Sequence, residues 1–303
     1  MGPTASGKTE IAISLRKRFP LDVISVDSAL VYRGMNVGTA KPDAETLRRT
    51  PHRLIDIRDP EESYSAGDFV RDARVEMRSI HAAGRTPLLV GGTMMYFRAL
   101  TEGIAELPSA DDEIRASIDA EAAELGWPAV HAQLRAVDPT AAARINPNDS
   151  QRIQRALEVY KVSGRPLSEW QEAADIEVQS NDVRFTKIAL RVEPRSLLHE
   201  RIGKRLDHML ENGFLDEMRR LMQRPELRRE SPSMRSVGYR QFWPYVADEC
   251  SLEDATSKAL AATRQLAKRQ ITWLRSESSL KSFDPLDSLA IDAISAFLAP
   301  HLD

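Results

Sequence analysis

The chain begins with a motif that strongly restricts its possible fold. Residues 2–9, GPTASGKT, fit the pattern G-x-x-x-x-G-K-[ST], in which the backbone N–H groups of a loop surround phosphate oxygens. In this pattern the Lys8 ammonium contacts phosphate, and the Thr9 hydroxyl is a ligand of Mg²⁺. The motif therefore predicts a phosphate-binding α/β protein. It leaves open whether a phosphoryl group is transferred or whether the bound phosphate is a leaving group.

Short apolar runs after the loop alternate with helical patterns. The runs LDVISVD (ending at Asp27), PLLV (87–90) and FTKIALRV (185–192) are typical of buried strands, and HRLIDI (52–57) is a weaker candidate. Apolar spacing predicts helices over 10–19 and 65–83. This alternation predicts a P-loop NTPase-like α/β fold, with helices on both faces of a parallel sheet. Because such a loop normally follows a strand, we expect a natural strand upstream of Gly2.

The middle of the chain differs from its two ends in residue composition and in the pattern of apolar residues. Strand-like runs are absent between 108 and 182, where Ala, Glu, Asp and Arg dominate. We predict a helical insertion over 108–182 that divides the α/β core into two parts, 1–107 and 183–303. The segment after 194 is again mostly helical in pattern.

Composition excludes several classes of protein. Of the 303 residues, 42% are hydrophobic and 29% are charged, and the net charge is −3. No apolar run approaches the roughly 20 residues of a membrane span, and no signal peptide precedes the loop. The single cysteine, Cys250, excludes an internal disulfide and a cysteine-based zinc site. We therefore expect a cytoplasmic protein with no membrane partner.

One segment departs from the near-neutral average. Between Thr256 and Lys281, six basic residues oppose a single acidic residue, Glu277, for a local net charge of +5. This stretch suits a polyanionic partner, although a solvated helix surface has the same composition.

Two further features come at strand ends, where ligands bind in parallel sheets. Asp27 ends the first predicted strand, and Gly91-Gly92-Thr93 follow the run PLLV. Asp27 is a candidate catalytic residue, but an aspartate here can also cap a helix or form a turn. Thr93 can equally be the N-cap of the helix that follows it. The next residues, Met94, Met95 and Tyr96, can form either an apolar ligand wall or part of the core.

A kinase or ATPase is the default interpretation of the loop motif. Such enzymes usually carry an aspartate at the end of a neighbouring apolar strand, where it holds Mg²⁺. Here the run PLLV continues into Gly91-Gly92-Thr93 without a carboxylate. Paired glycines permit close approach of a ligand to the backbone, which favours a bulky group above the phosphates.

Six motifs, spread in order over nearly the whole chain, resemble the bacterial tRNA dimethylallyltransferase family. They are GPTASGKT, VDSALVYRGMNVGTAKP (26–42), LLVGGTMMYFRAL (88–100), QRIQRALEVY (151–160), RSVGYRQ (235–241) and ATRQLAKRQITWLR (262–275). The resemblance implies transfer of a dimethylallyl group from dimethylallyl diphosphate to N6 of the adenine that is 3′-adjacent to the anticodon in tRNA. Diphosphate is then a leaving group.

The resemblance assigns roles around the loop. Asp27 orients or deprotonates the adenine amine, and Thr93 contacts substrate near the transfer site. Lys8, Mg²⁺ and an arginine neutralise the departing diphosphate; we assign Arg201 as this arginine, with Arg205 as the alternate. The complete predicted diphosphate-binding set is Gly2, Pro3, Thr4, Ala5, Ser6, Gly7, Lys8, Thr9 and Arg201, with Thr9 as the metal ligand.

Two amphipathic helical segments are predicted to bind the anticodon arm. In 151–160 the buried stripe is Ile153, Leu157 and Tyr160, which leaves Gln151, Arg152 and Arg155 outward. In 264–275 Ala267, Ile271 and Leu274 face inward, and Arg264, Lys268 and Arg275 form a basic stripe. The full predicted tRNA-binding set is Asp27, Ser28, Ala29, Leu30, Thr93, Arg115, Gln151, Arg152, Ile153, Gln154, Arg155, Arg235, Ser236, Val237, Gly238, Tyr239, Arg240, Lys268, Arg269, Gln270, Ile271, Thr272, Trp273, Leu274 and Arg275.

Three alternative functions share some of these features. A transferase that prenylates free adenine nucleotides needs the same diphosphate site but no long RNA surface. A small-molecule or nucleotide kinase needs a second metal-binding carboxylate, and a non-catalytic RNA-binding module leaves the loop without a purpose. We predict a monomeric enzyme with tRNA and dimethylallyl diphosphate as partners and Mg²⁺ as cofactor.

Overall fold

The computed structural model describes residues 1–105, 107–178, 183–277 and 279–302. The chain divides into two compact units. One comprises Met1–Arg98 and Arg184–Asp303, and the other comprises Ala99–Val183. The helical insertion predicted over 108–182 falls inside the second unit, and its last four positions, 179–182, lie outside the described residues.

Strands and helices alternate up to residue 91, and the chain is mostly helical after it. The elements of the first part are α1 (Lys8–Arg16), β1 (Leu21–Val26), α2 (Ala44–Arg49), β2 (His52–Arg53), α3 (Ala66–Ala82), β3 (Thr86–Gly91) and α4 (Met94–Glu102). Then come α5 (Asp112–Leu125), α6 (Trp127–Val137), α7 (Pro139–Arg144), α8 (Ser150–Ser163), α9 (Leu167–Val178) and β4 (Lys187–Leu190). The last elements are α10 (Arg195–Glu211), α11 (Phe214–Met222), α12 (Tyr239–Val246), α13 (Leu252–Ser276), β5 (Leu280–Phe283) and α14 (Ala290–Leu298).

The first unit contains the parallel sheet that the sequence predicts. β1 lies between β2 and β3, and all three strands are parallel. Val23 and Ile24 are fully buried although consecutive side chains of a strand point to opposite faces, so both faces of β1 are covered. Val26 is opposite Gly91, and β1 and β3 therefore end side by side. The α/β fold class is confirmed.

A second, two-stranded parallel sheet consists of β4 and β5. The Met1 ammonium donates a hydrogen bond of 2.8 Å to the Ile188 carbonyl, and the Leu190 N–H donates one of 2.9 Å to the Met1 carbonyl. These bonds anchor the residue before the phosphate loop to β4. No apolar run in the sequence predicts β5, because its central residues are exposed.

Local backbone chemistry explains where the predicted elements hold and where they fail. Ser65 and Asp68 form a reciprocal capping box, which begins α3 where the helical pattern predicts it. The strand predicted over 52–57 is wrong beyond Arg53. There Leu54 and Asp56 adopt φ angles of 63° and 56°, which are incompatible with an extended strand.

The second unit is helical and has its own core. Ile118, Val130, Leu134, Ile153 and Val159 are completely buried in it. These residues come from α5, α6 and α8, so the apolar stripes of three helices pack together. None of the helices in the described parts of the chain is both long and apolar enough to cross a membrane.

Gly203 provides a test of helix stability in the first unit. It lies inside α10, and apart from its chain neighbours and the nearby backbone of its own helix no atom lies within 4 Å of the position that a Cβ would occupy. Gly203→Ala should raise the free energy of unfolding by about 0.5–1 kcal/mol, because glycine is a poor helix former. Urea denaturation measures the change. Gly213→Ala is the matched control: space is open there too, but φ is +90°, so alanine should be destabilising. Lower stability in Gly203→Ala would show that the site is crowded.

Candidate active site

The phosphate loop ends at an open helix N-terminus. Gly7 precedes α1 with φ of 82°, a left-handed conformation that suits glycine, and no side chain caps the helix. The first N–H groups of α1 and the positive end of its dipole therefore point toward the loop. The Ser6 hydroxyl is buried, and it has no hydrogen-bond partner among the described residues. The loop thus presents donors suited to an oxygen-rich anion.

Lys8 is held inside the loop by its own backbone. Its Nζ donates a hydrogen bond of 2.7 Å to the Pro3 carbonyl. Burial, and next the charge of Arg205, lower the pKa of Lys8 to about 8, whereas Asp27 acts in the opposite direction. The protonated lysine is therefore disfavoured by its surroundings, and an anion bound beside it would remove this penalty.

Two arginines of α10 reach this region. Arg201 donates a hydrogen bond of 2.8 Å from Nε to the Ala5 carbonyl, within the loop itself. One helical turn later, Arg205 donates a bond of 3.0 Å to the Thr39 carbonyl. Burial lowers the pKa of Arg205, and Asp27 opposes this effect. The sequence offered these arginines as first and second choice, and the structure brings both to the site.

Asp27 and Thr93 lie at the adjacent ends of β1 and β3. The N–H groups of Ala29 and Leu30 donate to Asp27 Oδ1 at 2.8 and 3.3 Å, so one carboxylate oxygen forms a turn. In the part of the chain that is described, Oδ2 has no hydrogen-bond partner. The Ser28 N–H donates to Thr93 Oγ1 at 3.0 Å, so this hydroxyl connects the two strand ends.

Thr9 is the predicted protein ligand of Mg²⁺. Thr9 lies in the first turn of α1 with a half-exposed side chain. No group of three or more His, Cys, Asp or Glu side chains that could hold a metal occurs within the described ranges. One hydroxyl fits a Mg²⁺ ion that takes its other ligands from diphosphate oxygens and water, the usual situation for Mg²⁺ beside phosphates.

Glu217 is a buried carboxylate that the sequence analysis missed. Its Oε2 accepts hydrogen bonds of 2.7 Å from both the Asn36 and Val37 N–H groups. Its Oε1 accepts one of 3.1 Å from Gly38 and one of 2.6 Å from the Tyr239 hydroxyl. Burial and the adjacent carboxylate raise the pKa of Tyr239 well above its ordinary value. Glu217 therefore fixes the backbone immediately before Thr39, whose carbonyl holds Arg205.

A sequence signal for Glu217 does exist. Phe214, Met218 and Leu221 form the buried stripe of α11, and Glu217 lies on the same helical face. A charged residue inside an apolar stripe is uncommon and requires buried partners. The spacing alone could have marked Glu217, but it could not have identified the three N–H groups that it accepts from.

The basic surface of α13 has two distinct kinds of residue. Arg264, Lys268 and Arg275 are exposed, as the predicted basic stripe requires, and Arg269 is exposed as well. Gln270 is only 7% exposed; its Oε1 accepts from the Thr4 N–H at 2.9 Å, and its Nε2 donates to the Gly92 carbonyl at 2.8 Å.

The other predicted RNA contacts in this unit differ in exposure. The exposed ones are Ser28, Arg235, Arg240 and Thr272, and the buried ones are Gly238 and Tyr239. The half-buried ones are Asp27, Ala29, Leu30, Thr93, Ser236, Val237, Ile271, Trp273 and Leu274.

In the second unit, several predicted RNA contacts already have protein partners. Arg155 donates to Glu158 and to the Pro108 carbonyl, at 2.7 Å in each case. Arg115 also donates to Glu158, at 2.8 Å. Burial alone would raise the pKa of this carboxyl, but Arg155, the Asp111 N–H and Arg115 together lower it. The expectation that Arg155 points freely outward is wrong, because the buried carboxylate attracts it.

The remaining residues of α8 are divided between surface and interior. Gln151 and Arg152 are exposed, as predicted. Gln154 is half-buried and donates to Asp119 at 2.6 Å. Ile153 is completely buried, so its side chain can support an RNA surface but cannot form one. Tyr160, predicted in the buried stripe with Ile153 and Leu157, is only half-buried.

The proposed apolar wall is also divided. Met94 and Tyr96 are buried, and the Tyr96 ring stacks on Phe69 with ring centroids 4.6 Å apart. The Tyr96 hydroxyl donates to the Tyr64 carbonyl at 3.0 Å. Both side chains are therefore part of the core. Met95 is 56% exposed and remains accessible to a ligand.

These features define an α/β protein with a phosphate loop, an arginine bonded to that loop with a second arginine one helical turn later, and a carboxylate at the neighbouring strand end. The sequence model described as IPP transferase matches residues 30–277. The chain belongs to the IPP transferase family. The family resemblance of the six motifs is confirmed.

Relatives extend the match over the whole chain, including the phosphate loop. The tRNA dimethylallyltransferase of Thioalkalivibrio sulfidiphilus is 54% identical over 303 residues, which cover 100% of this chain and 94% of that protein. The crystal structure of full-length tRNA isopentenylpyrophosphate transferase from Bacillus halodurans has a TM-score of 0.71 at 38% identity, covering 99% of this chain and 94% of that chain. A eukaryotic dimethylallyltransferase acting on tRNA has a TM-score of 0.79 at 25% identity, with coverages of 98% and 76%. This similarity supports the P-loop-like fold.

Proposed function

We propose that this chain transfers a dimethylallyl group from dimethylallyl diphosphate to N6 of the adenine 3′-adjacent to the anticodon in tRNA. The observation that carries the proposal is the position of Asp27 at the end of β1, next to the Thr93 turn and near enough to Lys8 and Arg205 for its charge to favour the protonated form of both, so that a proton acceptor lies beside an anion cradle. Membership of the IPP transferase family and the names of the relatives support it. A monomeric enzyme in the cytoplasm is part of the same proposal.

In the proposed reaction, one set of residues stabilises the negative charge of the leaving diphosphate, and Asp27 accepts the proton of the attacking amine. The bond between the allylic carbon and the diphosphate oxygen breaks, and the diphosphate leaves with the electron pair. The N6 lone pair forms the new bond to that carbon, and the N6 proton passes to Asp27 and then to solvent. Lys8 and Arg201 stabilise the growing negative charge on the leaving group. Mg²⁺, held by Thr9 and the diphosphate, would neutralise part of the same charge.

The acceptor adenine must leave its stack to reach such a site, at a cost of a few kcal/mol. RNA contacts elsewhere must offset that cost. The exposed cations of α13 (Lys268, Arg269 and Arg275) suit phosphates, and the exposed Gln151 and Arg152 of α8 suit loop bases and phosphates. We propose that each of these surfaces binds the anticodon arm.

The reaction is tested directly by following two isotope labels from the substrate into the products. Unmodified tRNA is incubated with Mg²⁺ and dimethylallyl diphosphate labelled separately at the prenyl carbon and at the β-phosphorus. We expect carbon label in the RNA and phosphorus label in free diphosphate. Phosphorus label in any acceptor would identify a kinase instead. Carbon label in free AMP, ADP or ATP at rates equal to those with tRNA would identify a nucleotide transferase.

Lys268 tests the RNA surface of α13. Lys268→Ala should weaken tRNA binding and reduce the slope of log K against log salt by about one unit, because one phosphate contact is lost. Fluorescence anisotropy over a salt series measures both quantities. Lys17→Ala is the matched control, because Lys17 is exposed at the far end of α1 from the loop. If Lys268→Ala and Lys17→Ala have the same tRNA affinity and the same salt slope, the exposed face of α13 is an ordinary solvated surface that does not bind RNA.

A further inference from the structure

Gln270 connects two separate parts of the site through one side chain. Its Oε1 accepts a hydrogen bond from the Thr4 N–H in the phosphate loop, at 2.9 Å. Its Nε2 donates to the carbonyl of Gly92, in the turn after β3, at 2.8 Å. The side chain is 7% exposed, so these bonds are formed away from water.

The fit around this side chain is close. A Cβ on Gly92 would lie 2.6 Å from Gln270 Nε2 and 3.3 Å from the Gly2 carbonyl oxygen. Glycine at 92 therefore allows the amide to reach the backbone of the turn. A primary amide carries a donor and an acceptor on one rigid plane, which satisfies one N–H and one C=O at the same time.

The two connected segments hold the reacting groups. On one side of the bridge, Thr4 belongs to the phosphate loop. The same loop leads into Lys8, which is the first residue of α1. On the other side, Gly92 precedes Thr93, whose hydroxyl accepts from the Ser28 N–H immediately after Asp27. The Gln270 amide thus connects the phosphate loop to the turn next to Asp27.

The neighbours of Gln270 in the sequence face the opposite way. Lys268 and Arg269 are exposed, whereas Gln270 and Ala267 are buried. Helix α13 therefore has one face for a polyanion and one face for the phosphate loop. The residues of 268–275 are therefore not equally accessible to an RNA.

We propose that Gln270 is a positioning residue that holds the phosphate loop and the Thr93 turn in register, and that it does not contact tRNA. This inference rests on the proposed dimethylallyl transfer. Its consequence is that loss of the amide lowers the rate of the chemical step while RNA affinity is preserved. Geometric errors of about 1 Å at a reacting centre can lower rates by about 10²-fold.

The test separates the rate of transfer from the binding of RNA. Gln270→Met keeps the side-chain volume and removes both hydrogen bonds. With the full-length chain and saturating dimethylallyl diphosphate, we expect a single-turnover rate about 10²-fold lower and an unchanged Kd and KM for tRNA. Gln265→Ala, on an exposed position of the same helix, is the control and should keep the parent rate.

A purely structural role is distinguished by measuring the rate per folded molecule, well below the unfolding midpoint. If Gln270→Met does not fold, Gln270→Glu replaces it; it keeps the acceptor for Thr4 and opposes an oxygen to the Gly92 carbonyl, so the same fall in rate is expected. A parent-like rate in the folded variant, or weaker tRNA binding with an unchanged rate at saturating tRNA, would overturn the proposal. An inactive parent chain would instead overturn the proposed function.

Discussion

Lys8→Ala should lower the single-turnover rate of dimethylallyl transfer by about 10²–10³-fold, because it removes a preorganised charge at the leaving group. Lys8 is held by the Pro3 carbonyl, and its burial and the charge of Arg205 lower its pKa to about 8, so its charge is best compensated by a bound anion. The affinity for tRNA should hardly change. Rapid quench with labelled dimethylallyl diphosphate gives the rate, and anisotropy gives the affinity.

Two comparisons make this result specific. Lys17→Ala removes an equal charge at the other end of α1 and should leave the rate unchanged. Lys8→Arg keeps the charge but not its shape, and should retain only part of the activity, because the loop already encloses the lysine. A rate for Lys8→Ala within a few-fold of the parent would mean that diphosphate departs from another site.

Asp27→Asn should slow transfer by about 10²–10⁴-fold, the usual contribution of a general base. The structure makes this substitution unusually informative. Asp27 Oδ1 accepts from the N–H groups of Ala29 and Leu30, and an asparagine oxygen can accept the same two bonds. The turn is therefore preserved while Oδ2 becomes an NH₂ group that cannot take a proton. Single-turnover rate, tRNA affinity and unfolding midpoint should be measured together.

The same substitution distinguishes the two interpretations that the sequence left open. If Asp27 only forms the turn, the variant keeps the parent rate. If Asp27 accepts the amine proton, the rate falls with no loss of stability or RNA affinity. Asp22→Asn is the control for a lost carboxylate on the same strand, because Asp22 pairs with Arg85 at 2.9 Å at the opposite end of β1.

The placement of Arg205 shows how much of the site depends on distant residues. Its guanidinium is held by the Thr39 carbonyl, and Glu217 binds the three N–H groups that precede Thr39. A Cβ on Gly38 would lie 2.2 Å from the Phe214 ring, so this loop passes directly against α11. A glycine and a buried glutamate thus support an arginine that no local pattern connects to them.

The sequence alone determined the features that depend on short-range chemistry. The phosphate loop, the strands ending near Asp27 and Gly91, and the capped helix that begins after Ser65 were all predictable. Each is specified by residues within a few positions of one another: glycine at a positive φ, a continuous apolar run, or a reciprocal cap. The helical periodicity of apolar residues in 264–275 also predicted that Lys268 lies on the exposed face of α13.

Tertiary structure alone decided which polar groups find partners. Helical periodicity predicts which face of a helix a residue lies on, but it does not predict that Arg155 bonds to the buried carboxylate of Glu158. The resemblance put Gln270 in an RNA-binding segment, but the fold brings Thr4 and Gly92, 266 and 178 residues away in the chain, to the two ends of its amide. Buried polar atoms must be paired, and their partners are chosen by the packing of the whole unit rather than by neighbouring residues.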